Sequence, residues 1–373
     1  MAADTLCYLD YNATAPLRPT ARAAMIAAWD VAGNASSPHS AGRAARRIVE
    51  AARAQVAAAV GAPPAAVIFT AGGTEADNLA VTGTGHMVVM SAIEHDAVRL
   101  AAGDRAVTIP VDADGRIALT ALERILSAMS GSALVSVMLV NNETGTIQPV
   151  AEAAAIARRY GALIHTDAVQ ALGRVAIDLR RLDVDMISLS AHKLGGPKGV
   201  GALIVRDGVP LRPLLRGGGQ ERRRRAGTEN VAGIAGFGAV CAEVEQSLAD
   251  QVRLAGLRDR LEATIRSADP ALVVFGATAP RVGNTSCLAM TGVAADTQLM
   301  AFDLAGIAVS SGAACSSGKV ATSHVLRAMA AAPDLAGSAV RVSLGWGSGP
   351  DDVARFTAAW LGLRQRTRPD RVA

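Results

Sequence analysis

Lysine is nearly absent from this 373-residue chain. It occurs only as Lys193, Lys198 and Lys319, and every other basic side chain apart from six histidines is arginine. In so arginine-biased a chain, a lysine at a strand end marks a position where a guanidinium will not serve. An amine can form a Schiff base with an aldehyde, and a guanidinium in practice does not. Aromatic residues are scarce at 3%, so the 50% hydrophobic content rests largely on alanine. No run approaches the roughly 18–20 unbroken apolar residues of a spanning helix. The first residues carry Asp4 and Asp10 and no basic start before a long apolar run, so no secretory signal is expected. The expectation is a soluble, cytoplasmic protein without a membrane partner. The four cysteines, Cys7, Cys241, Cys287 and Cys315, form no Cys-x-x-Cys pair and have no histidine at metal-ligand spacing. A disulfide framework and a metal site are therefore not expected, and free thiols suit a reducing compartment. Arginines bunch only at Arg222-Arg223-Arg224-Arg225, with no interleaved aromatics for base stacking. Nucleic acid is not an expected partner; a solvated loop or a phosphate- or partner-facing rim fits better.

What is present is an alternation of short apolar runs and amphipathic stretches. Strands are expected at 67–69, 87–90, 106–111, 134–140, 162–165, 186–189 and 200–205. Helices are expected at 20–29, 43–60, 74–81, 120–130 and 150–160. Such alternation argues an α/β fold whose mostly parallel sheet is covered on both faces. Near residue 250 the character changes. A helix at 248–267 leads into strands at 272–275, 284–290, 307–310 and 340–344, which suggests a smaller α+β domain. The length suits two domains.

In an open α/β sheet, ligands bind off the carboxyl ends of the strands. Five expected strands end in chemically pointed loops. Gly72-Gly73-Thr74-Glu75 opens a helix and resembles an anion cup, with a plain helix cap as the alternative. Glu94-His95 offers a ring for stacking or proton transfer. Asn141-Asn142-Glu143 offers an amide, or only a turn. Asp167 ends a buried strand, where a carboxylate needs a partner such as a protonated pyridine nitrogen; Gln170 could reach the same ring. Ser190, His192 and Lys193 end the fifth strand. A phosphate cup, an amide, a carboxylate and an amine together match what pyridoxal phosphate requires.

These motifs, with Tyr8-Leu9-Asp10-Tyr11-Asn12, residues 217–230, 310–317 and 340–345, resemble the pyridoxal-phosphate cysteine desulfurases of the nitrogen-fixation and iron–sulfur-cluster type, within the class-V aminotransferases. The resemblance implies a fold-type I transferase with a seven-stranded sheet. It implies a large cofactor domain at 15–250 and a small domain formed by 1–14 and 251–373. It implies that Lys193 binds the cofactor covalently, Asp167 pairs with the pyridine nitrogen, and His95 stacks on the ring and moves protons. Gln170 and Asn142 face the ring hydroxyl, while Gly73, Thr74, Ser190 and His192 hold the phosphate. Thr228 reaches the phosphate of a neighbouring subunit, so a homodimer is implied. Arg341, with Asn142, binds the carboxylate of L-cysteine. Cys315, in the small-residue loop 310–318, takes the sulfur as a persulfide, L-alanine leaves, and the sulfur passes to an acceptor protein, a cluster scaffold or sulfur carrier. Such a loop packs weakly and should move. Gly73 stands where the family often has alanine, and the basic C-terminal stretch from Leu363 lacks the longer scaffold-docking tail of housekeeping members. Other readings are a lyase acting on selenocysteine or cysteine sulfinate, a class-V aminotransferase, or an inactive partner recruiting nucleic acid through Arg222-Arg223-Arg224-Arg225.

Overall fold

The computed structural model describes residues 6–311 and 323–367. Its centre is a seven-stranded sheet in the spatial order Val67–Thr70, Gly201–Val205, Met186–Ser190, Leu163–Asp167, Ala133–Ser136, Met87–Ser91, Ala106–Ile109. Only Gly201–Val205 runs against the direction of the other six strands. The sheet is therefore mostly parallel, as its apolar runs require. Met186–Ser190 and Gly201–Val205 are buried at every position, so neither shows the polar alternation of a half-exposed strand.

Helices cover both faces. Val150–Arg159 turns Val150, Ala153, Ala154 and Ala157 inward at helical spacing. Val231–Cys241 carries Gly233, Gly236 and Gly238, which individually weaken a helix by about 1 kcal/mol against alanine. Close packing explains their use. A Cβ on Gly238 would stand 2.7 Å from Ala52 Cα in the helix Ser40–Ala58, and one on Gly236 would stand 2.8 Å from Met25 Cγ.

A second apolar core joins the chain's N-terminal residues Cys7 and Leu9 to Leu254, Leu261, Phe302, Val340, Phe356 and Trp360. The scarce aromatics concentrate here: Phe302 lies 5.1 Å from Phe356 and 6.3 Å from Trp360, centroid to centroid. A four-stranded antiparallel sheet of Ser310–Ser311, Ala339–Ser343, Thr285–Ala289 and Val273–Phe275 backs this core. Cys7–Tyr8 pairs in parallel with Ile307–Ala308, which ties the first residues to the last third of the chain.

Several expected boundaries move, three of them for a visible reason. The strand expected over 134–140 ends at Ser136. The Met138 amide donates instead to the Glu94 side chain at 2.7 Å, so pairing with Met87–Ser91 stops there, while the Val137 and Leu139 amides still donate to the His165 and Asp167 carbonyls. The strand expected at 162–165 extends to Asp167, which pairs in register with Ser188. The single strand expected at 307–310 divides into Ile307–Ala308 and Ser310–Ser311, because each half pairs with a different sheet.

Candidate active site

The parallel strands deliver their loops to one edge of the sheet, and there they enclose a cavity of about 250 Å³. Its wall includes Gly73, Thr74, His95, Asn142, Asp167, Gln170, Ser190, His192 and Lys193 from the sheet region, and Arg341 from the smaller sheet. Thr228 is not part of this wall; it lies exposed on the surface of its own chain. Cys315 falls outside the described residues.

The strand Met186–Ser190 is followed by one turn of 3-10 helix, which presents Lys193 to the cavity. Lys193 Nζ donates to the carbonyls of Asn12 at 2.6 Å and Ala13 at 2.8 Å. Burial, reinforced by the nearby Arg341 and Arg174 guanidiniums, lowers its pKa from the ordinary lysine value to about 8. His192, next in chain, accepts or donates at Nδ1 with Thr14 Oγ1 at 3.2 Å, and burial beside Lys193 lowers its pKa to about 4.

At the opposite end, Asp167 Oδ1 accepts from the Val169 amide at 2.8 Å. Burial raises the Asp167 pKa; that amide, His95 and Lys193 act against the rise. His95 caps the helix Asp96–Ala102 by accepting the Ala97 amide at Nδ1, 3.1 Å away. With Nδ1 an acceptor, the ring proton is assigned to Nε2. Gln170 is fixed at both ends of its amide. Its Nε2 donates to the Asn12 carbonyl at 2.9 Å, and its Oε1 accepts from Arg174.

The cup at Gly73 is shaped by what it lacks. A Cβ on Gly73 would meet Val169 Cγ2 at 2.7 Å, and one on Gly201 would meet the Gly72 backbone at 2.6 Å. The helix Gly73–Gly83 starts there, so its first amides and Thr74 offer donors to an anion. Beyond the cup, a second cavity of about 740 Å³ runs past Glu75, Asn78 and Lys198. The donor set thus suits a phosphorylated pyridine aldehyde: an anion cup, an amine of depressed basicity, and a buried carboxylate.

Two wall residues have a part in the site that the sequence alone does not assign. Asn12 holds Lys193 and Gln170 through its carbonyl, and its own side chain is anchored on Thr285 Oγ1 at 2.9 Å. Asp77 lies one turn after Thr74 on the same helix face, which is the signal that could have found it. It is buried, its Oδ1 has no hydrogen-bond partner, and it faces the cavity. Its nearest base is His165, whose Nε2 lies 3.6 Å from that oxygen. Burial, then the neighbouring Asp167, pushes the Asp77 pKa well up. Burial alone pushes His165 down to about 3.

Comparison with known proteins agrees with this geometry. Residues 7–356 match the family model described as aminotransferase class-V. A cysteine desulfurase of Cereibacter sphaeroides is 48% identical over 353 residues, covering 90% of this chain and 90% of that protein. Among solved structures, a NifS-like protein from Rickettsia africae superposes with a TM-score of 0.90 at 33% identity, covering 96% of this chain and 99% of that one. A structure described as SspA in complex with cysteine gives a TM-score of 0.79 at 29% identity, covering 91% of this chain and 98% of that one.

Proposed function

The chain belongs to the class-V aminotransferase family, and on that premise we propose that it is a cysteine desulfurase using pyridoxal 5'-phosphate. The observation that carries this reading is the convergence of Lys193, Asp167, His95, Asn142 and Arg341 on one cavity. Its fold is that of the fold-type I transferases.

Lys193 would bind the cofactor, Asp167 would pair with its ring nitrogen, and His95 would cover the ring. Gln170 and Asn142 would serve its hydroxyl side. Gly73, Thr74, Ser190 and His192 would hold the phosphate. When bound, the cofactor supplies an electron sink that makes the substrate Cα–H acidic. Lys193 is suited to take that proton at Nζ, because an amine with a pKa near 8 is partly free base at neutral pH. Arg341, with Asn142, would bind the carboxylate of L-cysteine; a guanidinium fork matches that group.

The sulfur acceptor on the protein is assigned to Cys315 on its sequence context, and exclusion supports it. Cys7, Cys241 and Cys287 are free and buried. Burial pushes the Cys7 thiol up to about 12 and raises the other two as well, so each is a poor thiolate source. The net change would convert L-cysteine and the Cys315 thiol into L-alanine and a Cys315 persulfide. A downstream protein would then take the outer sulfur for cluster or sulfur-cofactor assembly.

The open cavity beyond the phosphate cup and the exposed Thr228 support a homodimer in which Thr228 completes the partner's site. The separate apolar core around Phe302 and Trp360 supports a small domain of 1–14 and 251–373 beside a large domain of 15–250, with the division falling inside the helix Val244–Ala268. No helix among the described residues is long and apolar enough to cross a membrane; a cytoplasmic location would follow from the cluster-assembly role.

The deciding experiment is single-turnover release of L-alanine from L-cysteine. Wild type should leave one sulfur on Cys315 by mass spectrometry, and Cys315→Ser should bind L-cysteine but release no alanine, because a hydroxyl is a weak nucleophile toward sulfur. Undiminished alanine release from Cys315→Ser would place the protein with the lyases instead.

A further inference from the structure

Arg341 meets the cavity with a carboxylate already in hand. Its Nη2 donates to Asp10 Oδ1 at 2.8 Å, and its Nη1 donates to the Asn142 carbonyl at 3.1 Å. Its Nε is buried without a hydrogen-bond partner. Asp10 is held in turn, for its Oδ2 accepts from Ser310 Oγ at 2.8 Å. The backbone enforces this grouping. Asp10 bridges to Ser343, and Ser310 pairs in register with Arg341 itself. The other cations at this end bond to neutral acceptors, Lys193 to two carbonyls and Arg174 to the Gln170 amide. Asp10 thus makes the only salt bridge of Arg341 among the described residues.

A guanidinium whose charge is countered by one carboxylate can still receive a single further carboxylate through the second N–H of each Nη. A second anionic group on the same ligand would find that positive charge already countered, and would face Asp10 across it. L-cysteine with a neutral thiol carries one anionic group. Aspartate and cysteine sulfinate carry two. Resting on the reading that Arg341 binds the substrate carboxylate, we propose that Asp10 is a specificity-determining residue: it orients Arg341 for one carboxylate and disfavours amino acids that bear a second negative charge. This role needs no contact between Asp10 and the reacting atoms.

The test uses the cofactor-loaded protein and two ligands that carry no thiol, L-alanine and L-aspartate. Each is titrated against the visible absorbance of the bound cofactor, giving a ratio of dissociation constants. Asp10→Asn keeps the size and an acceptor for Arg341 but removes the charge. It should improve aspartate binding relative to alanine by roughly tenfold. Asp10→Ser, which also removes the charge, should move the ratio in the same direction and serves if the first variant folds poorly. A ratio unchanged from wild type in both variants overturns the proposal while leaving the enzyme assignment intact. If Arg341→Gln does not weaken alanine binding, or if neither ligand perturbs the wild-type absorbance, the reading of the site fails and the role of Asp10 falls with it.

Discussion

The cavity has an acidic end and a basic end, and the two are built on one plan. Asp77 and Asp167 line the cavity on the acidic side, with Glu94 and His165 buried behind them; Lys193 and Arg341 line it on the basic side, with Arg174 behind them. Burial pushes every shifted group toward its neutral form. It raises Asp77 and Glu94 well above the usual carboxylate range, lowers His165 to about 3, and lowers Lys193 to about 8 and Arg174 to about 9. What differs within each end is the supply of compensating partners. Asp167 has the Val169 amide as donor, with His95 and Lys193 also acting in its favour, whereas Asp77 Oδ1 has no hydrogen-bond partner and only Ser188 works against the rise of the Asp77 pKa. Arg341 has Asp10, whereas Arg174 has only an amide oxygen. One carboxylate and one guanidinium are thereby better compensated than their neighbours, and these are the groups suited to a ring nitrogen and a substrate carboxylate.

The contrast can be broken most severely at Lys193. Lys193→Arg keeps a cation but loses the amine. Alanine release should fall by about 10⁴-fold or more, with loss of the absorbance of covalently bound cofactor. Retention of that absorbance would show attachment elsewhere.

Next in size is the difference between the two aspartates. Asp167→Asn should lower turnover by about 10²–10³-fold, because on the proposed reading the group that would stabilise the cofactor ring as an electron sink is removed. Asp77→Asn should change it less than about threefold, since burial already favours the neutral form of that carboxyl and the amide is neutral too. Equal losses in the two variants would show that the acidic end shares its charge rather than assigning it to Asp167.

At the basic end, Arg341→Gln should raise KM for L-cysteine by roughly 10–100-fold. Arg174→Gln should leave KM nearly unchanged. It should move the Lys193 midpoint upward from about pH 8, because removing a cation favours the protonated amine. Amine labelling of Lys193 in the cofactor-free protein at stepped pH measures that midpoint, and a downward shift would contradict the electrostatic account.

The smallest effect is on stability. Glu143 adjoins Asn142 and accepts Ser323 Oγ at 2.6 Å, and burial raises its pKa to about 7. A carboxyl with a raised folded pKa contributes stability fully below its unfolded value, near 4.5. That contribution is lost as pH rises to about 7. Glu143→Gln should therefore flatten the fall in Tm between pH 5 and pH 7.5 by roughly 2–4 °C. Parallel Tm profiles in the variant and wild type would exclude this contribution.

Much of this site could be read along the chain because its chemistry is local. A buried parallel strand is a continuous apolar run, and the residue types that follow it announce their use: glycines before a helix, Asp167 at a strand end, Lys193 in a chain with two other lysines. The Cys315 assignment rests on the resemblance of residues 310–317 to the desulfurases. The strand limits were less legible, since Glu94 takes the Met138 amide from a distance of 44 residues. Asp77 and Asn12 look like an ordinary helix residue and an ordinary turn residue until their surroundings are assembled.

What the sequence determined by itself was the set of reactive groups and the secondary structure that carries each one, because side-chain chemistry and backbone preference act within a few residues. Which of those groups would be neutral and which charged was decided only by the tertiary structure. Asp10 and Arg341 are 331 residues apart in the chain and become an ion pair because the N-terminal strand pairs with Ile307–Ala308 and Asp10 bridges to Ser343. Burial and neighbouring charge are properties of assembled space, and a linear pattern does not contain them.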